Sequence, residues 1–70
     1  MNINLLKAQM ALKGKKTSEV AKMLNISKSA IYRKLNGNSD FTRNEIFQLI
    51  NCLGIETEKA MEIFFKSEVS

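Results

Sequence analysis

Lys28, Ser29, Tyr32 and Arg33 lie within one six-residue stretch, at offsets of one, four and five from its first residue. On a helix those offsets place all four on one face, opposite Ile31 and Leu35. Their chemistry is that of base-edge recognition. Arg33 presents the paired N–H donors that match guanine O6 and N7, and Lys28 reaches guanine or a phosphate. Ser29 bonds to several base edges and so discriminates little; Tyr32 offers a ring to a thymine methyl and a hydroxyl to a phosphate. Each also has a plainer role. Lys28 and Lys34 read equally as solvated helix lysines, Arg33 as half of an ion pair, and Tyr32 as packing on the core rim.

The charge around these residues supports the first reading. The chain of 70 residues carries a net charge of +4, unevenly spread. Residues 1–45 hold nine Lys or Arg against three acids, and residues 46–70 hold two against four, so the halves carry +6 and −2. A basic N-terminal half is what a phosphate-binding surface looks like, and a merely solvated lysine-rich surface carries the same charge. Catalysis has little to work with. Histidine is absent, the carboxylates are scattered, and no glycine-rich phosphate loop is present, so neither an enzyme nor a cofactor or metal site is expected. Cys52 is the single cysteine and reads as a small core or half-buried residue. Neither a secretory signal nor an apolar run near the ~20 residues of a membrane span is present, which implies a cytoplasmic protein.

The elements that must position these side chains are helical. There is no proline, and the three glycines fall between apolar-periodic segments. Helix 1 is expected from about Ile3 to Lys13, with Leu5, Ala8 and Leu12 beside Ile3, Leu6 and Met10 forming a broad apolar face before Gly14. Helix 2 spans about Thr17 to Leu24 and buries Val20, Ala21 and Leu24, with Asn25 suited to a left-handed turn. Helix 3 follows the Ser27 cap, with Ile26 and Ile31 as a hydrophobic staple, and ends at Asn36-Gly37. Thr42 to Glu45 reads as a capping box, with Phe41 and Ile46 as its staple, for a helix that buries Ile46, Leu49, Ile50 and Leu53 and stops at Gly54. A last helix, about residues 57–66, carries Ala60, Met61, Phe64 and Phe65 on one side. Met61, Phe64 and Phe65 read as core by default. Two adjacent phenylalanines seldom both fit so small a core, so these residues also mark a candidate dimer or partner surface to which one phenylalanine is available. Residues 1–70 thus form one all-α domain of five short helices.

Residues 17–37, TSEVAKMLNISKSAIYRKLNG, contain two helices joined only by Asn25-Ile26-Ser27, the pattern of a helix-turn-helix. The stretch resembles the lambda-repressor-like helix-turn-helix family of phage repressors, Cro proteins and small bacterial regulators. Ala21 matches the small residue where the two helices pack, Ile26 and Ser27 the turn hydrophobe and cap, and Ile31 the buried position of the second helix. Asn36-Gly37 matches that helix's usual ending, and Leu53-Gly54-Ile55 the close of helix 4. Lys16-Thr17 stands where the family often has Thr-Gln, Lys15 where it often has an apolar residue, and Leu35 where it often has an acid. YRKLNG, DFT and the closing IFF are similar to a subset of small phage and prophage regulators.

The resemblance implies that Thr17, Asn36, Asn38 and Arg43 hold the DNA backbone while Lys28, Ser29, Tyr32 and Arg33 read bases. It implies a DNA-binding transcriptional regulator of Cro or small-repressor type that acts on double-stranded operator DNA, with a homodimer on two half-sites roughly 34 Å apart. A second expectation from another class is a modulator with the same fold that binds a partner repressor protein, an antirepressor. The absent glutamine and the apolar C-terminal residues leave room for it.

Overall fold

A computed structural model describes residues 1–65, and all of its regular structure is helical. The helices are α1 (Ile3–Leu12), α2 (Thr17–Leu24), α3 (Lys28–Leu35), α4 (Arg43–Leu53) and α5 (Thr57–Ala60), the last running on into a π-helical turn at Met61–Phe65. Lys66, the expected end of the final helix, lies outside the described residues.

Capping chemistry sets most of these boundaries. Asn2, Ser27 and Thr42 each accept the backbone N–H three residues on, at 3.1, 3.1 and 3.2 Å, which fixes the starts of α1, α3 and α4. Glu45 returns the favour at α4 by accepting the Thr42 N–H at 2.8 Å, completing the box. Asn25 closes α2 in the left-handed region at φ 57°, and its N–H and that of Ile26 turn back to the carbonyls of Lys22 and Ala21.

The core is a single cluster. Leu6 and Met10 of α1, Val20, Ala21 and Leu24 of α2, Ile31 and Leu35 of α3, and Leu49 and Leu53 of α4 meet Phe41, Ile55, Ala60, Ile63 and Phe64. Ala21 is 3% exposed on α2, which packs against α3. The ends of the chain's described part are tied together by the Asn2 N–H, which donates to the Ile63 carbonyl at 2.7 Å.

Three sequence expectations need correction. The broad face of α1 narrows to Leu6 and Met10 with Ile3 and Leu5 at its edges; Ala8 is exposed and Leu12 is 74% exposed. One helix can turn only a limited arc of its surface to the core, and Leu12 falls about 160° around from Met10. Cys52 is exposed, because the buried line of α4 runs through Leu49 and Leu53 and leaves Cys52 to one side. In the last helix the buried side is Ala60, Ile63 and Phe64, while Met61 and Phe65 are each 54% exposed. Phe64 is therefore a core residue and drops out of the expected partner surface. Ile63 and Phe64 stand three and four residues past Ala60, the ordinary spacing of one helical face.

Candidate nucleic-acid interface

Helix α3 is short and its orientation is set by few groups. Ser27 caps it, Ile31 and Leu35 anchor it, and the Asn38 N–H donates to the Arg33 carbonyl at 2.9 Å to close its end. Lys28, Ser29, Tyr32 and Arg33 are all exposed, Tyr32 to 54%. Arg33 lies two residues past the fully buried Ile31, about 160° around the helix, so it points almost directly away from the core. Among the described residues Arg33 and Lys28 enter no salt bridge, so the ion-pair role for Arg33 is not what the fold uses.

Lys34 behaves differently. Its ammonium sits 3.2 Å from Glu45 Oε1, donates to the Asp40 carbonyl at 2.8 Å and lies 5.7 Å from the centroid of the Phe41 ring. Its charge is thus directed inward, against α4 and the loop before it. Partial burial pushes the Glu45 carboxyl up, but the Thr42 N–H and the Lys34 ammonium outweigh that and hold it below the usual value.

Three of the eight expected contact residues come together in one groove. Thr17, Tyr32 and Asn36 line a cleft of about 530 Å³ between the end of α1, the start of α2 and the outer half of α3. Lys28, Ser29 and Arg33 lie on the solvent face of α3 outside this cleft, and Asn38 and Arg43 are exposed beyond the C-terminal end of α3. Lys7, Lys15 and Lys16 line the same cleft and were not singled out from the sequence as contacts. The signal was there in the excess of positive charge over residues 1–45, but only the packing of α1 against the α2–α3 pair shows which lysines share a wall. The start of α2 is closed by Glu19, whose Oε1 accepts the Lys16 N–H at 2.9 Å. The ammonium groups of Lys7, Lys15 and Lys16 give the cleft the positive charge that attracts phosphate.

Apolar surface is also left uncovered. Met61 and Phe65 line a shallow cleft of about 440 Å³ edged by Glu58 and Glu62, and the rings of Phe64 and Phe65 meet edge to face with centroids 6.3 Å apart. Phe47 on α4 is 52% exposed, one residue off the buried line and not anticipated from the sequence. No helix among the described residues is long and apolar enough to cross a membrane.

Comparison with known proteins gives the family. The chain belongs to the BetR domain family, whose sequence model matches residues 3–66. Membership points to a small helical regulatory domain of the DNA-binding kind, in keeping with the fold. No curated protein and no solved structure matches the chain.

Proposed function

We propose that this BetR-domain chain is a sequence-specific DNA-binding transcriptional regulator of Cro or small-repressor type, a binding protein and not an enzyme, serving a phage or prophage switch in the cytoplasm. The observation that carries the reading is the contrast on α3: Lys34 is neutralised within the fold, while Lys28 and Arg33 face solvent without a salt-bridge partner among the described residues. Exposed donors on a capped helix, beside a basic cleft, suit a duplex with α3 in its major groove and its phosphates along Lys15, Lys16 and Thr17. Arg33 would read guanine, Lys28, Ser29 and Tyr32 neighbouring bases, and Thr17, Asn36, Asn38 and Arg43 would set the register. One domain makes few base contacts, so a homodimer on two half-sites is the working form.

Selection from a duplex library with a randomised core, followed by anisotropy titration of the selected duplex and a scrambled one, tests this. Clear preference for the selected duplex, lost in Arg33→Ala, supports it; equal affinity for both duplexes sinks it.

A second reading rests on Met61 and Phe65, half-exposed beside Glu58 and Glu62. There the chain would act as an antirepressor, with that cleft covering a basic and apolar segment of a partner repressor. Tight binding to a co-encoded repressor without DNA, abolished by Met61→Ser with Phe65→Ser, would favour it over the first.

A further inference from the structure

The two buried side chains of α3, Ile31 and Leu35, lie four residues apart along one line of the helix. Two anchors on a line resist translation but leave rotation about that line weakly opposed. The consequence for recognition is large. A donor roughly 6 Å from the helix axis moves about 1 Å for each 10° of roll, and a positioned polar site tolerates only about 0.5 Å or 10–20° of error.

Lys34 projects from the flank of α3 and is held at three points: Glu45 Oε1 at 3.2 Å, the Asp40 carbonyl at 2.8 Å and the Phe41 ring face at 5.7 Å. Both charged side chains are only 13% exposed, so water competes poorly for either. Glu45 is itself fixed, because the same Oε1 accepts the Thr42 N–H at 2.8 Å. The ammonium therefore bridges α3 to the first turn of α4 across the intervening loop. We infer that Lys34 is a positioning residue, which with Glu45 sets the roll of α3 and so the aim of Arg33, and that it makes no contact with DNA.

This rests on the DNA-binding reading above, and the wild-type arm of the experiment tests that reading separately. Lys34→Met keeps an unbranched side chain and removes the charge; Glu45→Gln keeps an acceptor for the Thr42 N–H and removes the ion pair. Binding to the selected and scrambled duplexes is measured over a salt series at low temperature, where circular dichroism shows each variant folded. Each substitution is expected to lower the preference for the selected duplex about ten-fold. The salt slope for Lys34→Met should stay as in wild type, and the double variant should be no worse than either single one. Loss of about 0.9 from the Lys34→Met salt slope would show a phosphate contact and overturn the inference. So would an unchanged preference alongside a lowered melting temperature, which would make the bridge a matter of stability alone. A wild-type chain without sequence preference overturns both this inference and the reading beneath it.

Discussion

The Lys34 ammonium lies 3.2 Å from the Glu45 carboxylate, joining the end of α3 to the start of α4 with both side chains 13% exposed. The folded state holds the Glu45 pKa below its ordinary value, so the unfolded chain takes up a proton at higher pH than the folded one. The stabilisation from this carboxylate is complete above the unfolded pKa and is lost as pH falls through the folded one. Urea unfolding from neutral pH down into the acid range should show stability declining below about pH 4.5. Glu45→Gln should start less stable and decline less steeply. Parallel pH profiles for the two proteins would show that the pair does not carry the effect.

The core prediction concerns Leu49, which is wholly buried where α4 meets the rest of the cluster. Leu49→Ala removes its packing and leaves a cavity, at a cost of about 2–5 kcal/mol. A domain of this size has a total stability of roughly 4–10 kcal/mol. Thermal and urea melts should therefore show a protein near the edge of folding. A loss under about 1 kcal/mol would mean that the core closes around the gap, contrary to its tight assembly.

Asn25 makes a sharper local test. It closes α2 at φ 57°, in the left-handed region, where a side chain with no compensating local hydrogen bond is strained. Asn25→Ala should destabilise by about 1 kcal/mol, a fall in melting temperature of roughly 4–8 °C for so small a domain, whereas Asn25→Gly should be near neutral. Equal melting temperatures for the two variants would remove the turn from the account of the fold.

How far these features were legible in the sequence follows from the range of the interactions behind them. Ser27, Asn25 and the Thr42–Glu45 box act over three or four residues, so helix starts and stops could be read directly. The buried line Ile31 and Leu35 is periodic and equally plain. Ile63 and Phe64 stand three and four residues past Ala60, the regular spacing of a helix face, and are as legible; the stripe expected from the sequence runs through Met61, Phe64 and Phe65 and passes over Ile63. Lys34 was indistinguishable from Lys28 by residue type, and only the path of residues 37–42 brings Glu45 beneath it. The α1–α2–α3 cleft has the same character. Lys7 is eight residues from Lys15, and their common wall exists only once α1 packs.

That cleft yields a prediction about charge alone. Lys16 lines it beside Thr17 at the start of α2, outside the base-reading set proposed on α3. A phosphate contact there releases counterions without conveying sequence, so Lys16→Ala should reduce the salt slope of DNA binding by about 0.9. Affinity should fall by a similar factor for the selected and scrambled duplexes, leaving their ratio intact. A fall in the ratio with an unchanged slope would assign Lys16 to base reading and the cleft to something other than the DNA backbone.

Arg33 should show the opposite behaviour, and the informative substitution is lysine. Arg33 points away from the core and has no salt-bridge partner among the described residues, so a lysine there is sterically free and the domain should melt as wild type does. The positive charge is retained, and the salt slope should change little. What disappears is the planar pair of donors that grips guanine O6 and N7 together, since an ammonium is a single point of charge. Discrimination at one base pair should therefore fall by about 1–3 kcal/mol while every other position in the site keeps its preference. Titrations against duplexes changed one base pair at a time locate that position. A uniform loss spread over all positions, or no loss of discrimination at any, would mean that Arg33 does not read a base and that the groove is read by other side chains of α3.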